Sequence, residues 1–146
     1  MPEPIFVDTN VLVYARDTSE GDKQARANAW VTHLWRMRAG RLSVQVLHEF
    51  YVTVTQKLRP GLDREIARDE VRDLLTWRPL LLDRALTEGA WAIQDRHGLS
   101  WWDSLVVSAA QVAGCRYLLS EDFSDGHYYD DLLVVNPFLR DPGSFE

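Results

Sequence analysis

The chain has one cysteine in 146 residues. That excludes an intramolecular disulfide, and Cys115, set in VAGCRYLLS between an apolar helix and an apolar strand, reads as a small buried apolar group. No stretch approaches the roughly 18 uninterrupted apolar residues of a membrane span, so no membrane partner is expected. The opening MPEPIFVD lacks both the basic start and the long apolar run of a secretion signal. A cytoplasmic setting is the expectation these absences support. Positive charge is also short: 16 Lys and Arg stand against 22 Asp and Glu, a net charge of −6. A protein holding nucleic acid by phosphate neutralisation alone should be basic. Either the partner is not a polyanion, or positive charge is supplied from elsewhere. The four histidines (His33, His48, His97, His127) are scattered. With a single cysteine beside them, no cluster at zinc spacing exists.

What is present is apolar: 46% of residues, enough to build one core in a chain of single-domain length. Residues 4–8 read as a strand, and a helix begins over 10–16. After the polar loop TSEGD, helical spacing of Ala27, Trp30, Val31, Leu34 and Trp35 predicts a helix from Asp22 to Arg38, ended by Gly40. A short strand follows from Arg41 to Val44. Ser43 is placed to cap a helix running to about Leu58, closed by Arg59-Pro60-Gly61. Asp63 can cap the next helix, with Ile66, Val71, Leu74 and Leu75 inward, and Pro79 stops it. Leu80 to Leu82 read as a strand, Asp83 opens a helix ending at His97-Gly98, and Ser100 caps the helix 101–113, ended by Gly114. Tyr117 to Leu119 and Leu132 to Val135 are the last two strands. Trp30, Trp35, Trp77 and Trp91 are expected to pack between helices. Short strands alternating with helices, each strand a continuous apolar run, predict an α/β domain with a mostly parallel sheet covered on both faces. One domain over residues 1–140 is expected, followed by a loose tail, 141–146.

In such sheets ligands bind at the carboxyl ends of the strands. Asp8 lies at that end of the first strand, Asp122 follows the fourth, and Asp125 stands three residues on. If the first and fourth strands are neighbours, Asp8 and Asp122 converge. Asp103 has Val106, Val107 and Ala110 as its i+3, i+4 and i+7 neighbours, so its helix face is apolar, while Ser104, Ser108 and Gln111 form a polar stripe. A carboxylate on an apolar face has two compatible readings: a capping-box residue behind Ser100, or a ligand. Glu49 lies off the apolar stripe of Leu47, Phe50, Val54 and Leu58, and spacing alone reads it as an ordinary exposed glutamate. Asp8 or Asn10 can equally be a helix cap in an Asp-Thr-Asn turn, and Asp122 and Asp125 can be loop acids.

Taken in order, DTNVLVY, a glutamate in the helix after the second strand, WWDSLVVSAA, LLSEDFSDG and VVNPF resemble the PIN-domain ribonucleases. More narrowly they resemble the VapC-type toxins of bacterial toxin–antitoxin pairs. The resemblance covers nearly the whole chain. It implies a single PIN-like domain with a five-stranded, mostly parallel sheet flanked by helices. It also implies a metal-dependent endoribonuclease that leaves a 3′-hydroxyl and a 5′-phosphate. Carried over by motif, Asp8, Glu49, Asp103 and Asp122 match the four acids, with Asp125 sharing or replacing the role of the fourth. Thr9, Asn10 and Ser120 match the polar residues around them. An RNA substrate, a cognate antitoxin that covers the helices, and a homodimer are implied as partners.

Several acids in one cleft repel by roughly 4 kcal/mol per pair at about 4 Å and an effective dielectric near 20. A divalent cation removes that repulsion, and an all-oxygen donor set suits Mg²⁺ or Mn²⁺. The metal would also supply positive charge at the scissile phosphate, which eases the conflict with net charge. Arg36, Arg38, Arg41, Arg59, Arg64, Arg68 and Arg72 cluster in the middle of the chain, either as a solvated helical face or as a track for RNA. Two other classes compete: a catalytically silent PIN-like module that binds protein or RNA, and a different Mg²⁺-dependent phosphohydrolase. A haloacid-dehalogenase-type nucleophile motif needs a second aspartate where Asn10 stands, which argues against the latter.

Overall fold

Ile5, Phe6 and Val7 are all buried, so the first strand is apolar on both faces and must run through the middle of the molecule. In the computed structural model, which describes residues 2–145, this strand, β1 (Ile5–Val7), does so. The other strands are β2 (Gly40–Arg41), β3 (Tyr117–Leu119), β4 (Tyr128–Tyr129) and β5 (Leu132–Val135). The sheet order is β2-β1-β3-β5-β4, parallel throughout except for β4, which folds back antiparallel on β5. Val7 is in register with Leu119, and Leu119 with Val135. The residues that follow, Asp8, Ser120 and Asn136, therefore leave the sheet side by side.

Among the described residues six α-helices surround the sheet: α1 (Thr9–Tyr14), α2 (Gly21–Met37), α3 (Val44–Val52), α4 (Arg64–Leu75), α5 (Arg84–His97) and α6 (Trp101–Val112). Three starts carry the predicted side-chain caps: Ser43 accepts from Val46 N at 3.4 Å, Asp83 from Leu86 N at 3.0 Å and Ser100 from Asp103 N at 3.1 Å. Asp63 holds the cap position of α4 but makes no side-chain bond there. α3 passes into one π-helical turn, Thr53–Lys57, before the chain leaves it.

Several expectations are corrected. Leu80–Leu82 is not a sheet strand: only Leu80 bridges to Ser43, and Leu81 is 70% exposed. An apolar triplet after Pro79 mimics a strand, but the fifth place in the sheet belongs to β4 at the opposite edge. α4 turns Ala67 and Leu74 inward, while Ile66 and Leu75 are each 51% exposed, because a helix lying on the surface buries only a narrow stripe. Helix α2 ends on Arg38 in the left-handed conformation, φ 53°, and Gly40 belongs to β2. Of the polar stripe, Ser104 and Ser108 are buried. Ser108 Oγ donates to Leu86 O at 2.7 Å across the α5–α6 seam, and a Cβ at Gly89 would meet Ser108 Oγ at 2.7 Å. Small residues let these helices close, and hydrogen bonds to backbone carbonyls satisfy the hydroxyls. Trp30 is buried as expected, but Trp91 is exposed and Trp77 lies beyond the end of α4. The segment expected to be loose forms a 3₁₀ turn, Pro142–Phe145, with the Phe145 ring against Trp30 and Tyr117; Glu146 lies outside the described residues.

Candidate active site

The in-register strand ends dictate the site. Asp8 N donates to Leu119 O at 3.0 Å and Ser120 N to Val135 O at 3.0 Å, so the sheet ladder continues one residue past each strand. This delivers two side chains into contact: Ser120 Oγ donates to Asp8 Oδ2 at 2.8 Å. Asp8 also caps α1 by accepting from Thr9 N through Oδ1 at 2.8 Å. The cap and ligand readings of Asp8 are thus compatible, since its second oxygen remains on the site.

Asn10, in the first turn of α1, ties the two segments together. Its amide nitrogen stands 3.1 Å from Asp8 Oδ2, 3.1 Å from Ser120 Oγ and 3.2 Å from Asp122 Oδ2. Its carbonyl oxygen accepts from Glu121 N at 3.1 Å. The convergence expected of Asp8 and Asp122 is therefore realised, with the positive end of one amide dipole between them. Ser120 Oγ also accepts from Asp122 N at 3.1 Å, which fixes the turn carrying that acid.

Asp8 is 7% exposed, and its pKa is pushed up to about 6, chiefly by burial. The hydrogen bonds from Ser120 and Thr9 hold it down in part, and the charges of Asp122 and Glu49 raise it further. Glu49 is therefore near enough to act on Asp8, although it is an exposed residue of α3 with no hydrogen bond to the cluster among the described residues. Among those residues no Lys, Arg or His pairs with Asp8, Glu49, Asp103 or Asp122. The lysine beside the loop, Lys23, is taken by Glu121 at 2.7 Å.

Asp103 is in the first turn of α6, half-buried, and its charge helps burial to raise the pKa of Tyr129. Gln45 Nε2 donates to Trp102 O at 3.4 Å, which sets this turn against the start of α3, one helical turn before Glu49. Among the described residues its carboxylate makes no hydrogen bond to Asp8 or Asp122. Asp125 faces elsewhere: it accepts from Asn136 N at 2.9 Å and pairs with Arg140 at 3.2 Å, and these partners hold its pKa below the usual carboxylate range. Three participants were not singled out in the sequence: Glu121, Lys23 and Gln45. Only Glu121, inside SEDF, carried any signal.

The donor set is oxygen throughout, with two carboxylates in direct contact through one amide and a third acid within electrostatic reach. Thr9 Oγ1 is a buried polar atom with no partner. A hard divalent cation suits such donors, and the uncompensated charge on Asp8 is what one would relieve. Among the described residues no three His, Cys, Asp or Glu side chains are grouped closely enough to hold a metal ion as they stand.

A parallel sheet whose central strands end in clustered, unpaired acids defines an acid-site α/β domain. The chain belongs to the PIN domain family, whose model matches residues 5–124. Among solved structures it is similar to FitAcB from Neisseria gonorrhoeae, at 18% identity over 92% of this chain and 98% of that one, TM-score 0.67. It is also similar to a toxin-antitoxin complex from Klebsiella pneumoniae, at 17% identity over 92% and 97%, TM-score 0.58. A third is VapC20 of Mycobacterium tuberculosis, a sarcin-ricin loop cleaving toxin, at 18% over 78% and 86%, TM-score 0.56. At these identities the likeness is one of fold. A comparison with curated protein sequences gives no match. No helix among the described residues is long and apolar enough to cross a membrane.

Proposed function

We propose that this chain is a metal-dependent endoribonuclease of the cytoplasm and the toxin half of a toxin–antitoxin pair. The observation that carries the reading is Asp8, buried beside Asp122 and Glu49 and lacking a cationic partner. Asp8, Asp103 and Asp122 would hold Mg²⁺ or Mn²⁺, with Glu49 at the exposed rim; we assign Asp125 to the loop rather than to the metal. When bound, the cation supplies charge neutralisation at a phosphate oxygen and a lowered pKa for water. Glu49 orients the attacking water. The Ser120 hydroxyl proton is spent on Asp8 and is not available to a phosphate. Asn10 holds Asp8 and Asp122 in one frame. The products expected are a 3′-hydroxyl and a 5′-phosphate.

The antitoxin part of the reading is supported by the complexes among the structural neighbours and by a groove of about 410 Å³ between α2 and α4. Leu12, Val31, Phe50 and Leu74 line it, and the Arg16–Glu70 pair at 2.6 Å stands at its side. An amphipathic helix with an apolar stripe fits such a groove. A homodimer belongs to the same reading. Leu82 and Trp91, both exposed, share one shallow hollow that a second copy could cover.

The test is cleavage of total cellular RNA by purified protein with Mg²⁺, with Mn²⁺ and with EDTA, alongside Glu49→Gln. Metal-dependent cutting that falls by roughly a hundredfold or more in the variant, with an unchanged melting temperature, is expected. RNA that stays intact at every metal concentration would leave a silent binding module as the better description.

A further inference from the structure

The arginines of the mid-chain differ in their partners. Arg68 pairs with Glu65 at 3.0 Å and Arg72 with Asp69 at 2.6 Å, as a solvated helical face should. Arg38 and Arg41 have no acidic partner among the described residues, and neither does Arg78. These three line one hollow of about 580 Å³, together with Trp35 and Trp77 and without any acidic side chain. In a chain of net charge −6, three unpaired guanidinium groups around one cavity are a local reversal of sign.

The hollow is built rather than accidental. Arg38 and Arg78 both occupy the left-handed backbone region, at φ 53° and 56°. Glycine would sit there more easily, so arginine is kept at a conformational cost. Arg41 is braced through one nitrogen, Nη1, to Gly40 O at 2.9 Å and Arg38 O at 3.3 Å. The Trp35 and Trp77 rings meet edge-on at 5.0 Å, and Trp35 is 41% exposed. Gly40 makes this possible, since a Cβ there would come within 2.3 Å of a Trp77 ring carbon. The register Ile5↔Gly40 puts the cavity at the end of the sheet away from Asp8, about 10 Å back along the strands.

We propose that this hollow binds one nucleoside-phosphate unit, with its base on the indoles and its phosphate on Arg38, Arg41 and Arg78. Guanidinium groups bind phosphate through paired hydrogen bonds, and indoles give a base a stacking platform. The volume falls in the range of small-ligand sites. An acidic peptide would answer the arginines but leave the rings unused. The unit is either a free nucleotide or one residue of an RNA strand lying outside the cleavage site; only the second source rests on the ribonuclease reading.

The test is done on the full chain in EDTA, so that cutting plays no part. Adenosine 5′-monophosphate, a fluorescein-labelled dodecamer of oligoadenylate and a dodecamer of oligoglutamate are titrated by tryptophan quenching and anisotropy. The variant is R38G/R78G, which puts glycine where the backbone already favours it and so keeps the fold; Trp35→Leu is the second. Wild type binds both nucleotide probes if the site takes free nucleotides, and the oligomer alone if it takes only a strand. In either case R38G/R78G lowers affinity roughly tenfold or more and flattens the log–log salt slope for the oligomer by about 1.4, and Trp35→Leu weakens binding and leaves only the smaller quench of Trp77. Nucleotide binding unaffected in both variants, or absent from wild type, overturns the proposal. So does oligoglutamate binding in place of the nucleotides. Intact binding in a protein that cuts no RNA would sink the nuclease reading and leave this site standing.

Discussion

Replacing Asp8 by Asn should stabilise the metal-free protein while abolishing cleavage. The folded carboxyl is pushed up to about 6 from an ordinary 3.8, so the fold prefers the protonated acid. Its contribution is complete below the ordinary value and is lost as pH rises through 6. At 1.36 kcal/mol for each pH unit, the ionised group costs about 3 kcal/mol at neutral pH. Asparagine removes that cost but brings an NH₂ into the bonding frame, where the Asn10 amide already donates. A donor facing a donor takes back about 1 kcal/mol. The net gain of about 2 kcal/mol corresponds to roughly 4–8 °C in melting temperature for a chain of this size. Calorimetry in EDTA between pH 4 and pH 8 reads it: the variant melts higher at pH 7, and the gap closes towards pH 4. With millimolar Mn²⁺ the order changes, because a ligand bound only to the native state raises the wild type and not the variant. A variant that melts below wild type at pH 7 without metal, or a gap that ignores pH, would refute the picture of an uncompensated buried anion.

Ser100→Ala should cost about 1 kcal/mol and lower the melting temperature by roughly 2–4 °C, since it removes the cap on Asp103 N; an unchanged melt would show that the cap is idle. Asp125→Asn should destabilise at pH 7 but not in acid. Its depressed pKa means that its contribution is present above the ordinary carboxylate value and is lost as pH falls, so the wild-type and variant melting curves should merge on acidification.

The sheet was legible where apolar triplets sit between helices, as at Ile5–Val7 and Tyr117–Leu119. Leu80–Leu82 has the same composition and failed, because a run of three leucines does not say whether a neighbouring strand has room for it. Tyr128–Tyr129 was invisible, since a two-residue edge strand defined by its hairpin has no periodicity to read. The caps at Ser43, Asp83 and Ser100 were legible because capping is local chemistry. Within the site, the sequence could bring Asp8 and Asp122 together only on the condition that their strands are neighbours, which the sheet order then supplies. The bridging amide of Asn10 was not legible, because spacing does not report where a side chain points. Ser104 and Ser108 misled for a similar reason: a hydroxyl satisfied by a backbone carbonyl is as buriable as alanine.

Both margins of the sheet are closed off. β2 and β4 are two residues long. The first is flanked by the Leu80 bridge to Ser43, and the second is doubled back through a tight hairpin. Neither offers a long row of free amides to an incoming chain. With both margins closed in this way, the folded chain can reach high concentration without seeding fibres of its own kind.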